Sequence, residues 1–477
     1  MWETDTKQPS GVSYGPKGGP HAYRQSTAER AGYRGTTAYI HKLWIEDLRP
    51  GRTYEYQITG PDIRSETFEF RTTPAETDEV RFIVYGDTRT QPQVHRKLVE
   101  QMRKHPVDFL VHGGDLVTRG DDYRQWGPQF FEPLKGLVER VPIYIAKGNH
   151  EGRGGNFEKL LAPPGGENDF ALDYGPLHYF CLNNVSNSKS GSQLVGQIAR
   201  DAATSRAPWK FVSYHIPSVN FGDHTSIWQQ SRTLPAFSEA GIDLVVAGHS
   251  HQYERFRPIA PPGKGSYVTY ITAGGGGAPL APVEPTPCHA YAAAVYHFCL
   301  FHLRGGHLTM DTIDVDGRTI DHLDITKTDG RLDESYRSRA IVAGSVPLCR
   351  SLCKGVDSLL SHQPEKGRPF TASFDVAVPP LPGGVILTFA LRGDGQAYRL
   401  PPPSTTRVSA EGGRVRGKLA ATPLVAVQFP QGKPTEAVPI EPALWIDCHY
   451  TLGGVGETFS RPIMVGRPSA LDWLLGG

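Results

Sequence analysis

The chain has 477 residues, 38% of them hydrophobic, and a net charge of +1. No apolar run approaches the ~20 residues that a membrane-spanning helix needs, and the charge balance argues against binding of long nucleic acids through a broad basic face. The 53 glycines and 40 prolines favour β-structure and ordered loops over helical bundles, and six scattered cysteines do not make a disulfide framework.

The N-terminus, "MWETDTKQPSGVSYG", has neither a basic start nor an apolar core, so it does not read as a signal peptide. Residues 1–76 read as β: alternating segments flank the turn "RPGR", and "SETFEFRTTP" alternates Phe68 and Phe70 with polar residues before a closing proline. A small antiparallel sandwich lacking its first strand is expected here. From Val80 apolar runs alternate with helical stretches, the pattern of α/β organisation. "TQPQVHRKLVEQMRKHP" predicts a helix with Val94, Leu98 and Met102 on one face and a capping box of Thr90 and Gln93. The α/β region, 77–327, closes with the hairpin "HLTMDTIDVDGRTIDHLDI". Residues 328–369 read as a linker with one short helix, in which Cys349 and Cys353 are close enough to pair. Residues 370–477 read as a second β-sandwich, with strands in "TASFDVAV", "GVILTFAL", "RVRGKLAA", "PLVAVQF" and "ALWIDCHYTL".

Within 77–327, five apolar strand-like runs end in a small residue and a metal-competent side chain. "RFIVYGD" ends at Asp87, "DFLVHGGD" at Asp115, "VPIYIAKGNHE" at Asn149 and His150, "WKFVSYH" at His215, and "IDLVVAGHSH" at His249 and His251. Sites in open α/β sheets form beyond the carboxyl ends of strands, so five such tips converge. Oxygen and nitrogen donors without sulfur suit Zn, Fe, Mn or Co. Six protein ligands exceed the needs of one ion with an open position and fit two metals sharing a carboxylate.

The series GD, GGD, GNHE, a lone His and GHxH resembles the calcineurin-like metallophosphoesterases. "GHSHQYER", with the N-terminal fibronectin type III-like sandwich, is most similar to the purple acid phosphatase branch. The resemblance covers roughly residues 1–327 and implies a four-layer αββα sandwich, flanked here by the two β-sandwich domains. It implies a phosphatase acting on small phosphate esters, monoesters first and diesters as the alternative, through a hydroxide held at a dinuclear centre. Asp87, Asp115 and His251 would hold one metal; Asp115, Asn149, His215 and His249 the other; His150 would serve the transition state or the leaving group. It also implies export to the periplasm or beyond.

Two departures matter. The position three after the bridging aspartate, where purple acid phosphatases carry a tyrosine that gives the colour, is Thr118. The position two after the first aspartate, a histidine in other members, is Arg89. The first metal therefore has three clear ligands. His95 is read either as its fourth ligand or as an exposed helix residue. Arg89 is read either as a phosphate grip or as a salt-bridge partner of a loop carboxylate, and His224 either as substrate-facing or as an exposed loop residue. "AGGGGAP" lacks the GK[ST] of a P-loop and reads as a tight loop near the site. His112 and His178 read as structural. Asn184-Val185-Ser186 is a glycosylation sequon. Two rival functions stay open: a phosphodiesterase or nuclease, and a non-catalytic relative that binds phosphate or a partner.

Overall fold

A computed structural model describes residues 1–30, 38–152, 155–166, 168–185, 189–222, 224, 226–260, 265–360, 362–427 and 438–465. Its centre is a pair of seven-stranded sheets. The first runs in the order Ile143–Ile145, Phe109–His112, Glu79–Tyr85, His297–Arg304, His307–Asp314, Thr319–Thr328, Arg331–Leu332. Its first three strands are mutually parallel and the rest antiparallel. The second runs Phe170–Tyr174, Leu177–Cys181, Trp209–Tyr214, Leu244–Ala247, Thr269–Ala273, Tyr253–Phe256, His289–Ala293, with four central parallel strands.

The parallel strands are covered on both faces, which is why "FLVH" and "LVVA" are uninterrupted apolar runs, buried at every position. Between the sheets, Phe82 lies between Phe109 and Phe301, with ring centroids 4.9 Å away on each side. On the outer face of the first sheet, helix Pro92–Met102 packs Leu98, Val99 and Met102 with Ile83, Tyr85 and Leu110. On the outer face of the second, helices Gly191–Thr204 and Gln230–Glu239 bring Leu194, Ile198 and Phe237 against Val212, Tyr214 and Val245. The order is helix, sheet, sheet, helix.

The first helix corrects one expectation. It starts at Pro92 behind Gln91, with no side-chain cap, and Thr90 has φ +80°, so Thr90 and Gln93 form no capping box. Proline at the first helical position supplies the start instead, because its missing N–H would have no partner there.

Residues 2–71 form a three-stranded and a four-stranded antiparallel sheet. The segment 328–369 carries two helices, Glu334–Arg337 and Ser345–Gly355, where one was expected. Short strands in it extend its neighbours: Ile341–Val342 pairs in parallel with Ile259–Ala260, and Val356–Asp357 joins the sheet beyond. Two four-stranded antiparallel sheets follow, faced by Phe374 and Phe389, whose rings stack at 3.7 Å. "PLVAVQF" is no strand over Leu424–Val427, and its last two residues lie outside the described ones. This C-terminal unit is docked on the α/β layers through Arg461 on Glu284 at 2.8 Å and Arg257 on Glu457 at 2.7 Å. The pairing that the spacing of Cys349 and Cys353 left open does not form: Cys349 faces the Tyr450 hydroxyl at 3.3 Å, and neither thiol is in a disulfide.

Candidate metal centre

Four of the five strand tips turn at a glycine, the His215 tip following Tyr214 instead, and crowding explains the glycines. A Cβ at Gly86 would lie 3.2 Å from the Gly113 Cα, and one at Gly248 would lie 2.5 Å from Asp87 Oδ2. Three of the candidate ligands hold left-handed backbone themselves: Asp87 at φ +59°, Asp115 at +56° and His249 at +72°. Such conformations cost of order 1 kcal/mol or more each and persist where surrounding structure fixes them. Here the fixing bonds are visible. The His249 N–H donates to both Asp87 oxygens at 2.9 and 3.0 Å, and the Asp87 carbonyl accepts from Ala278 at 2.8 Å. That last contact comes from the glycine loop Ala273–Pro279, which abuts the site as expected.

Four donor atoms meet at one point. Asn149 Oδ1 lies 2.9 Å from both His215 Nε2 and His249 Nδ1, these two nitrogens are 3.2 Å apart, and Asp115 Oδ1 is 3.3 Å from His215 Nε2. Ligands bonded at ~2.1 Å to one ion have edges of roughly 3.0–3.4 Å, so the spacing fits a metal such as zinc. The donor set points the same way. His215 Nδ1 donates to the Gly113 carbonyl at 2.8 Å, which leaves the Nε2 lone pair facing the acceptor oxygens of Asn149 and Asp115. Acceptors turned on one another need a cation between them.

Asp87, Asp115 and His215 also form a cluster whose ligand atoms lie within 4.8 Å of one another. His251 Nε2 is 3.8 Å from Asp87 Oδ1. Burial, with neighbouring charges, holds His249 and His251 down to about 3, and burial lowers His215, so all three rings are neutral and able to ligate. Burial and the Asp115 charge raise Asp87. Burial alone would raise Asp115, but His215, His150 and the His150 N–H bring it below the usual range.

His150 stands at the open edge, 29% exposed. Its Nδ1 donates to the Thr118 carbonyl at 2.7 Å, and Nε2 faces Asp115 Oδ2 at 3.8 Å. His224 reaches the site: its ring stacks on His249 at 4.5 Å and stands edge-on to His251 at 4.9 Å. Arg89 enters too, with Nε 3.5 Å from Asp115 Oδ2 and Nη2 3.2 Å from His251 Nε2.

His95 is not brought to the cluster. Its Nδ1 bonds the Gln129 carbonyl at 3.1 Å, its Nε2 lies 3.3 Å from the Tyr85 hydroxyl, and the ring is fully buried. It shares the core face of its helix with Leu98, Val99 and Met102, at spacings of three, four and seven. That periodicity was available in the sequence. His112 supports the Asp115 loop by accepting the Gly114 N–H at 3.1 Å, and His178 bonds Asp173 and Asp201. In the sequon, Ser186 lies outside the described residues.

One contributor went unassigned in the sequence. Glu151, fully buried, accepts N–H groups from Asp115, Leu116 and Gly148 at 3.0, 2.8 and 2.7 Å. It ties the GGD loop to the GNHE loop. Burial and the Asp115 charge raise its pKa to about 8, against the three N–H bonds that favour the carboxylate.

The double sheet with helices outside and an oxygen–nitrogen cluster at the strand ends defines a metallophosphoesterase-type domain. Residues 80–253 match the model of the calcineurin-like phosphoesterase family, and residues 1–72 match that of the purple acid phosphatase N-terminal domain. Purple acid phosphatase 21 of Arabidopsis thaliana is 27% identical over 304 residues, 57% of this chain and 67% of that protein. Acid phosphatase type 7 of Mus musculus is 24% identical over 376 residues, 67% of this chain and 85% of that protein. Probable inactive purple acid phosphatase 1 of Arabidopsis thaliana is 22% identical, and the match spans 62% of its length. The structure of a purple acid phosphatase from yellow lupin (Lupinus luteus) seeds shares the fold, with a TM-score of 0.59 at 20% identity over 68% of this chain and 70% of that one. The chain thus carries a calcineurin-like phosphoesterase domain preceded by a purple acid phosphatase N-terminal domain, and the relatives it matches are acid phosphatases.

Proposed function

We propose that the chain is a metal-dependent phosphoesterase that hydrolyses small phosphate monoesters. The observation that carries this reading is the four-donor position beside a part-exposed histidine, His150, whose Nε2 lies 3.8 Å from Asp115 Oδ2. Asp115, Asn149, His215 and His249 would hold a metal ion there. When bound, such an ion supplies Lewis-acid polarisation of a phosphoryl oxygen and lowers the pKa of water. The family implies a second ion, for which the side chains at hand are Asp87, Asp115 and His251.

The chain's own residues do the rest. His150 is held in one tautomer by Thr118, so Nε2 is the atom that exchanges a proton with the leaving group. His224, stacked on His249 and edge-on to His251, contacts substrate. Arg89 contributes fixed positive charge beneath a phosphate. Among the described residues no helix is long and apolar enough to cross a membrane. Export, periplasmic or extracellular, rests on the family resemblance.

The test is turnover of p-nitrophenyl phosphate and bis-p-nitrophenyl phosphate by the metal-loaded protein. A higher rate on the monoester supports the proposal. A higher rate on the diester assigns a phosphodiesterase, and no turnover with Zn, Mn, Fe or Co leaves a binding protein.

A further inference from the structure

We propose that this centre takes one metal ion, and that the Arg89 guanidinium fills the place of the second. The proposal rests on the metal-site reading above and changes its stoichiometry.

Arg89 lies two residues beyond Asp87 on the loop after strand Glu79–Tyr85. Its backbone is anchored, because its N–H donates to the Asp115 carbonyl at 3.3 Å. Its side chain is 13% exposed and turns inward. Nη2 lies 3.2 Å from His251 Nε2. A guanidinium nitrogen carries only hydrogens, so His251 must be the acceptor. The lone pair that would bind a second ion is thereby committed to a hydrogen bond.

The same side chain also approaches one of the carboxylates. Arg89 Nε is buried, has no hydrogen-bond partner, and lies at ion-pair distance, 3.5 Å, from Asp115 Oδ2. Asp87 and Asp115 are 0% and 1% exposed. Two buried carboxylates require compensating charge. One guanidinium and one divalent ion supply it. A second divalent ion would lie against a permanently charged guanidinium in a buried site, with His251 as its sole nitrogen donor.

The four-donor position differs. Asp115 Oδ1, Asn149 Oδ1, His215 Nε2 and His249 Nδ1 face one another, and Asp115 uses its other oxygen toward Arg89. Asp115 therefore bridges a metal and a guanidinium rather than two metals.

The experiment is a metal count on chelator-stripped protein titrated with Mn(II), followed by calorimetry and by elemental analysis after gel filtration. One ion per wild-type chain is expected, and two for Arg89→His, which removes the fixed charge and adds a nitrogen donor. Two ions per wild-type chain overturn the proposal and leave the phosphoesterase reading intact. Arg89→His remaining at one ion also overturns it. Binding of no ion to the wild type overturns the metal-site reading itself. A measurement on the wild type alone guards against a variant that fails to fold. The electron paramagnetic resonance spectrum of the saturated protein should be that of a lone Mn(II) ion, and the spectrum of an exchange-coupled pair would overturn the proposal.

Discussion

The Glu151 carboxylate accepts the Asp115 N–H at 3.0 Å, so a residue that touches no substrate sets the backbone of the aspartate central to the site. Its other oxygen holds Leu116, and Gly148 shares the first. Glu151→Gln places an amide NH2 where a backbone N–H needs an acceptor. An unsatisfied buried donor costs about 1–3 kcal/mol. The variant is expected to lose that much in urea unfolding of the metal-free protein and to bind metal more weakly. An unchanged urea midpoint would show that the two loops are held by other contacts.

His150→Ala removes the imidazole beside Asp115 and leaves the four donor atoms in place. Loss of a general acid or base costs roughly 100- to 10,000-fold in rate. That fall is expected in kcat, with the metal content of the purified variant equal to wild type. A fall in metal content would reassign His150 to ligand support.

Thr118 donates its hydroxyl to Gln129 Oε1 at 3.1 Å and sits where the coloured relatives place a tyrosine. The iron-loaded protein is therefore expected to lack a visible tyrosinate charge-transfer band. A purple preparation would mean that a tyrosine elsewhere in the chain reaches the metal.

His95 makes stability acid-sensitive from outside the donor cluster. Burial lowers its pKa from 6.5 to about 4. Above pH 6.5 the ring is neutral in both folded and unfolded chains. Between 6.5 and 4 only the unfolded chain takes up the proton, so stability falls as pH falls, by about 3 kcal/mol in total. His297, also buried and lowered to about 4, acts in the same sense and window. The urea midpoint should fall between pH 6.5 and 5, and His95→Gln, which removes one of several buried histidines lowered in the folded chain, should make that fall smaller. An equal drop in the variant would place the acid sensitivity elsewhere.

Much of the α/β region is legible in the sequence because burial on both faces makes its strands continuous apolar runs, and crowding at their tips requires glycine. "RFIVYGD" and "IDLVVAGHSH" carry both signals at once. His224 could not be placed, because its position depends on how the loop after strand Trp209–Tyr214 folds back over His249. Glu151 was hidden for another reason: its partners are backbone N–H groups, which leave no trace in residue types. The two helices of 328–369 are short, four and eleven residues, and are held by packing on the neighbouring units rather than by propensity.

The left-handed backbone at Asp87, Asp115 and His249 has an evolutionary consequence. Glycine adopts that conformation without cost. A drift from either aspartate to glycine would relieve strain and remove a buried charge together, at the cost of the acceptor for the His249 or His150 N–H. Backbone strain and buried charge thus fall on the same candidate ligands, so the positions that a metal-free fold gains most from relaxing are the ones a metal would need.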